Sequence, residues 1–174
     1  VSAYLNALRE AMSLVASQPG AIVVGQAVKY PGTGIYATLD HLPEDVRLEF
    51  PVAENFQCGF CTGIALAGGL PLCVFPRIQF ALEAVSQLVN HLDKLPLMGG
   101  YRPRVLIRTA VPSHSPMDPG PQHRGDFTHV LALLMKTVRV VALRDADEIV
   151  ARYREALDRD GSTMLVEYAD LYDD

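Results

Sequence analysis

The spacing of apolar residues changes period along the chain. Leu5, Leu8, Met12 and Val15 recur at helical spacing, Pro19-Gly20 stops that helix, and AIVVG at 21–25 follows as an unbroken apolar run of strand length. A turn-rich stretch, QAVKYPGTG, leads into YATLDHL, which predicts a short helix, and VRLEF, a second strand. The pattern then predicts a Gly/Ala/Cys-rich helix over 55–67, the strand LCVF, one helix over 79–95 and the strand RVLIRTA. Beyond the loop VPSHSPMDPGPQHRG it predicts a helix over 126–136, the strand VRVVAL, a helix over 145–157 and the strand TMLVEY. No internal repeat or low-complexity tract interrupts the alternation.

About six short Val/Ile/Leu-rich strands separated by helices imply a three-layer α/β fold, a mainly parallel sheet with helices on both faces. Ligands of such sheets bind beyond the carboxyl ends of the strands, in loops held by the scaffold. Two loops stand out, PVAEN after VRLEF and the proline-rich 111–125 after RVLIRTA, and both are expected to open on the same edge. A chain of 174 residues suits one domain over 1–174 with a full core. Its 49% hydrophobic and 20% charged content is that of a soluble globular protein. A net charge of -5 and a pI near 5.5 give no electrostatic footprint for nucleic acid or an anionic membrane. Residues 55–76 are uncharged, but Gly59, Gly63, Gly68, Gly69 and Pro71 divide the run and argue against a membrane span. Arg9 and Glu10 interrupt the stretch where a secretory leader would need an apolar core. Three cysteines, an odd count, suit a reducing compartment, the cytoplasm or an organelle matrix.

Several chemical motifs can be weighed against plainer roles. CGFC, Cys58 to Cys61, has the spacing of a thioredoxin-type pair, yet it sits several residues after its strand with no aromatic-rich lead, so packing one helical turn apart is the better reading. Gly59 and Gly63 beside it would let that helix approach a neighbour closely. One C-x-x-C without a second, and Cys73 inside a strand pattern, do not make a zinc site. Neither glycine-rich phosphate loop occurs, nor a G-x-S-x-G elbow. His41, His91 and His129 fall at helical positions, whereas His114 and His123 lie in the long loop. Glu54, at a strand-to-helix junction, would gain roughly 0.3 to 1 kcal/mol from the helix dipole and from capping. Its company suggests more. Glu54, Phe80 and His123 follow three successive strands, a site-like arrangement.

PVAENFQCGFCTGIALAGGLPLCVF, FALEAVSQLVNHLDKL, RVLIRTA and GPQH resemble, in that order, the pyrimidine-binding domain of thiamine-diphosphate enzymes. The nearest version is the beta subunit of 2-oxo acid dehydrogenase decarboxylating components, with transketolase more distant. The likeness runs from YLNALREAM to LVEYADLYD. It implies that Glu54 hydrogen-bonds ring nitrogen N1′ of the cofactor's aminopyrimidine, favouring the tautomer whose N4′ removes the C2 proton. Phe80 matches the aromatic packed on that ring, and His123 an active-site histidine placed to orient or protonate developing oxyanions. A structural potassium site of some relatives falls near Ile107, Asp158 and Asp160.

Departures from the family pattern bear on substrate handling. Gln26 stands where an acid is usual, Pro76 where a glutamine is, and Arg124-Gly125 where Ser-Gln follows the histidine. Arg77 and Arg124 are candidates to face an anionic substrate. The GDG and Asn-Asn elements that hold the diphosphate and its magnesium ion on a separate domain do not occur, nor does a C-terminal domain. The resemblance therefore implies the pyrimidine-binding half of a split enzyme, either encoded as a natural small subunit, which is the expectation here, or cut from a longer protein, working with a diphosphate-binding, alpha-like partner in a homo- or hetero-oligomer. The expected reaction is decarboxylation of a 2-oxo acid or transfer of an acyl or ketol unit. Two rivals are a non-catalytic assembly or regulatory module of the same fold, and a CGFC redox protein.

Overall fold

The computed structural model describes residues 2–114 and 118–173. Six strands form one sheet: β1 (Ala21–Gly25), β2 (Arg47–Glu49), β3 (Leu70–Phe75), β4 (Leu106–Val111), β5 (Arg139–Ala142) and β6 (Thr163–Tyr168). Every pairing is parallel, in the order β2-β1-β3-β4-β6-β5, so the sheet is wholly rather than mainly parallel. The order reverses direction at β1 and β3, which both lie near the sheet centre. Such a switch opens a crevice at the carboxyl edge.

Side chains alternate along each strand and so divide the core in two. Leu72 and Val74 of β3 join Leu106 and Leu165 under α1 (Ala3–Ala16) and α7 (Ala146–Asp158), where Leu8, Met12, Ile149 and Tyr153 are fully buried. Cys73 and Phe75 point to the other face and pack with Ile107 and Val166 under α3 (Glu54–Leu66) and α6 (Thr128–Leu134). At the end of β1, Gly25 lies so close to Val74 of β3 that a Cβ would fall 2.3 Å from its carbonyl oxygen. Only glycine fits there, and it lets the chain leave the strand at once into Gln26.

The helix predicted over 79–95 is in fact three pieces: α4 (Phe80–Glu83), a π-helical turn over Gln87–Leu92 and α5 (Leu95–Met98). The wide turn brings Asp93 to the start of β5. There its Oδ1 accepts the backbone amides of Lys136, Thr137 and Val138 at 2.7, 2.6 and 3.0 Å. The helix predicted over 126–136 is shorter, because Asp126 turns its carboxylate onto the Thr128 amide, 2.9 Å away, and sets the start of α6.

Candidate functional site

The loop leaving β1 is shaped by an acid from the neighbouring strand. Glu49, the last residue of β2, accepts the Ala27 amide on Oε1 and the Val28 and Lys29 amides on Oε2, each at 2.8 Å. Ala27 sits at φ 59°, a left-handed conformation that costs a non-glycine residue about 1 kcal/mol or more. The three amides converge on Glu49 only in such a turn. The loop in turn presents Gln26, whose Nε2 donates to Glu54 Oε1 at 3.2 Å.

Glu54 opens α3 and is 7% exposed. Its carboxylate does not cap the helix: the N-cap residue is Ala53, which makes no side-chain bond. A negative charge in the first turn still interacts favourably with the helix dipole. Among the described residues, however, the carboxylate's hydrogen bond goes to a neutral amide on another loop, with no cation beside it. Burying an acid costs free energy that one hydrogen bond from a neutral amide offsets only in part.

The loop after β3 is fixed at both ends. The Ile78 amide donates to the Ala110 carbonyl of β4 at 2.8 Å, and Gln79 Nε2 donates to the Gly125 carbonyl at 2.6 Å. Phe80 is thereby set against the long loop, its ring centroid 5.7 Å from that of His123 at an interplanar angle of 69°. His123 ends a 3-10 turn over Pro121–His123, and its Nδ1 is buried without a hydrogen-bond partner. An orphaned imidazole nitrogen beside an aromatic edge is costly to keep unless something else binds it.

A cavity of about 540 Å³ opens at the carboxyl edge, lined among others by Gln26, Arg77, Phe80, Ser113 and Tyr172. The loops after β1, β3, β4 and β6 thus meet at this cavity, as expected for the loop following RVLIRTA, whereas no residue of PVAEN, the loop following VRLEF, lines it. Residues 115–117 of the loop following RVLIRTA lie outside the described residues. The expectation that Glu54, Phe80 and His123 come from successive strand ends needs correction in space. β1 lies between β2 and β3, so Phe80 and His123 meet directly while Glu54 reaches the cavity's wall through Gln26. Tyr172 is held by a buried ionic network that sequence reading missed. Its hydroxyl donates to Glu167 Oε2 at 2.5 Å, and the same carboxylate pairs with Arg108, whose Nη2 also donates to Thr38 Oγ1 at 2.7 Å.

The remaining candidates resolve differently. Cys58, Cys61 and Cys73 are buried free thiols in one core cluster. Burial pushes the Cys58 thiol well up, and a hydrogen bond with Cys73 together with burial does the same for Cys61, which is the opposite of an activated redox pair. Gly59 packs on Gln87, 3.4 Å from where a Cβ would stand, while the face of Gly63 is open. Arg124 is spent on Asp118, with Nε 2.9 Å from Oδ1 and a second bond from Nη2. Ile107 is buried in β4, Asp158 ends α7, and Asp160 pairs with Arg102 at 3.4 Å. Among the described residues no group of three or more His, Cys, Asp or Glu side chains is placed to hold a metal ion, and no helix is long and apolar enough to cross a membrane.

Residues 2–173 match the family model described as transketolase, pyrimidine binding domain. The chain is similar to the mitochondrial pyruvate dehydrogenase E1 component subunit beta of Chaetomium thermophilum, 32% identical over 103 residues that cover 56% of this chain and 27% of that protein. It is also similar to the same subunit of Caenorhabditis elegans, 26% identical over 125 residues, 72% of this chain and 35% of that one. The aligned part is therefore about a quarter to a third of those relatives' length. Among solved structures, transketolase of Campylobacter jejuni superposes with a TM-score of 0.73 at 16% identity, covering 94% of this chain and 25% of that one. A structure titled split gene transketolase, inactive beta4 tetramer, superposes with a TM-score of 0.69 at 16% identity, covering 94% of this chain and 49% of that one. At that identity the likeness speaks for the fold, and the family match over nearly the whole sequence decides the rest: the chain belongs to the transketolase pyrimidine-binding domain family.

Proposed function

We propose that this chain, as one domain over 1–174, supplies the pyrimidine-binding half of a split thiamine-diphosphate enzyme. It would act on a 2-oxo acid or ketol by decarboxylation or by transfer of an acyl or ketol unit. The observation that carries the reading is the buried Glu54 carboxylate, bonded to neutral Gln26 at the wall of a cavity that also presents Phe80, whose ring edge meets a histidine with an orphaned nitrogen. This donor set fits an aminopyrimidine, which offers a basic ring nitrogen, an exocyclic amine and a flat face. Thiamine diphosphate, when bound, supplies a nucleophilic carbon that adds to a 2-oxo carbonyl.

The chain's own residues divide the remaining work. Glu54 would hold a proton at the pyrimidine nitrogen, and Gln26, donating to Oε1, would orient the carboxyl group and leave its second oxygen for the ring. Phe80 gives the ring an apolar face. His123, whose buried Nδ1 has no partner within the chain's described residues, would hydrogen-bond an oxygen of the substrate once a turn of the ring uncovers that nitrogen. The diphosphate and its Mg2+ would be held by an alpha-like partner subunit. The outer face of α3 is a seat for association, since Phe50, Phe56 and Phe60 form a ring cluster with centroids 5.3 to 6.2 Å apart, and Phe56 is 62% exposed.

Thermal stabilisation by thiamine diphosphate with Mg2+ tests the reading, measured on the chain alone and with a diphosphate-binding partner captured from native cells. Strong stabilisation in the presence of the partner, and little without it, is expected. Absence of both would favour a non-catalytic assembly module of the same fold.

A further inference from the structure

At the amino edge of the sheet, opposite the cavity, the turn between α7 and β6 holds a cation of its own. Arg159 is half-buried between the exposed Asp158 and Asp160. Its Nη2 donates to the Thr137 carbonyl, just before β5, at 2.6 Å, and its Nε to the Ser162 carbonyl, just before β6, at 3.5 Å. The guanidinium packs on its own turn, with Nη2 3.8 Å from where a Cβ on Gly161, at φ 136°, would stand. The segment it binds is gripped from the other side as well. The amides of Lys136, Thr137 and Val138 point at the buried Asp93 carboxylate, and Thr137 Oγ1 donates to the Asp93 carbonyl at 2.7 Å. The peptide units of 136–138 thus present amides to an anion and a carbonyl to a cation, the arrangement their dipoles favour.

A potassium ion near Ile107, Asp158 and Asp160, as the resemblance implies, would need oxygens in this same place. Such ions are held by several carbonyl or carboxylate oxygens free to converge on them. Here the carbonyls are engaged: that of Ser162 also accepts the Arg139 amide, that of Arg159 accepts the Gly161 amide and that of Val105 accepts the Thr163 amide, each at 3.1 Å. Ile107 is paired inside the sheet with Cys73 and Met164, and Asp160 turns outward to Arg102 at 3.4 Å. A second positive charge would also be repelled by the guanidinium on Thr137. The residues present do not fit the ion.

We propose that the Arg159 guanidinium takes the place of a structural monovalent cation in this chain, a built-in charge that ties the starts of β5 and β6 to the end of α7 and makes the fold indifferent to potassium. This clamp stands at the amino edge and is independent of the cofactor reading of the carboxyl edge.

Thermal unfolding of the full chain in KCl, NaCl and tetramethylammonium chloride at equal ionic strength tests it. The wild type should melt within about 1 °C of the same temperature in all three, since an ion that does not bind the folded state does not shift it. Arg159→Ala should melt about 4 °C or more lower in tetramethylammonium, having lost a charged donor on two carbonyls. Replacing that salt by KCl, or adding methylguanidinium, should recover part of the loss. Arg159→Lys, which keeps the charge, should lose less than Arg159→Met, which keeps only the bulk. Where Arg159→Ala does not fold in tetramethylammonium, the lysine and methionine variants carry the comparison. A wild type that KCl stabilises above both other salts, an Arg159→Ala variant as stable as the wild type, a loss that neither potassium nor methylguanidinium recovers, or equal losses in Arg159→Lys and Arg159→Met overturns the assignment.

Discussion

Replacing Glu49 by glutamine keeps the size of the side chain that shapes the β1 loop and removes its charge. The carboxylate accepts three amides at 2.8 Å, two on one oxygen and one on the other. In the variant, the amide oxygen can keep the Val28 and Lys29 bonds as neutral ones, each weaker by about 1 kcal/mol. The amide nitrogen then faces the Ala27 N–H, donor against donor, and that bond is lost at a further cost of about 1 kcal/mol. Relaxation of Ala27 from its positive φ returns about 1 kcal/mol, so the net loss is about 2 kcal/mol. For a domain of this length, that lowers the melting temperature by about 4–8 °C. Ala27→Gly should do the reverse and raise stability slightly, by up to about 1 kcal/mol. Urea denaturation of both variants, with the Gln26 side-chain signal followed by NMR as a report on the site, measures the pair. An unaltered midpoint for Glu49→Gln, or destabilisation by Ala27→Gly, would refute the claim that Glu49 holds a strained loop in place for Gln26.

Three further outcomes follow from the same geometry. Burial alone would raise the Asp93 carboxyl, but Lys94 Nζ and the amides of Thr137, Val138 and Lys136 outweigh it and hold it down at about 2. Its contribution, about 2 kcal/mol, is therefore full above the ordinary carboxyl value of 3.8 and is lost as pH falls through about 2; Asp93→Asn should flatten acid unfolding in that range, and an unchanged acid limb would count against the clamp. Cys58 and Cys61 should react with a thiol reagent only at the rate of unfolding and show no insulin-reducing activity, whereas rapid labelling of the native protein would restore the redox reading. His123→Ala should leave the melting temperature nearly unchanged while lowering turnover of the reconstituted complex by about 10²-fold, and a large stability loss with intact turnover would make His123 a packing residue.

The strands were legible because parallel strands buried on both faces read as apolar runs: AIVVG and TMLVEY coincide with β1 and β6 residue for residue. The breaks in the helix predicted over 79–95 were not, because Asp93 finds its partners in Lys136, Thr137 and Val138, more than forty residues away. The same holds for Glu49, which reads as the end of a strand until the β1 loop folds over it, and for Arg108 and Glu167, two charges inside apolar runs that satisfy each other across β4 and β6. Glu54, Phe80 and His123 could be named from their place after strands and from the family they resemble. Their spatial relation could not, since it depends on β1 inserting between β2 and β3 and on Gln26, which the sequence offers only as a departure from the usual acid.

The central claim is that the Glu54 carboxyl group serves a cofactor and does not merely cap α3. Glu54→Gln keeps the shape and the contact with Gln26 and removes the exchangeable proton. Because Glu54 makes no capping bond, the fold should lose about 1 kcal/mol or less, checked by circular dichroism. Exchange of the C2 proton of thiamine diphosphate, measured by rapid-quench NMR in the complex with the diphosphate-binding partner, should slow by orders of magnitude. Exchange as fast in Glu54→Gln as in the wild type would contradict the account and leave Glu54 as an acid at the start of a helix.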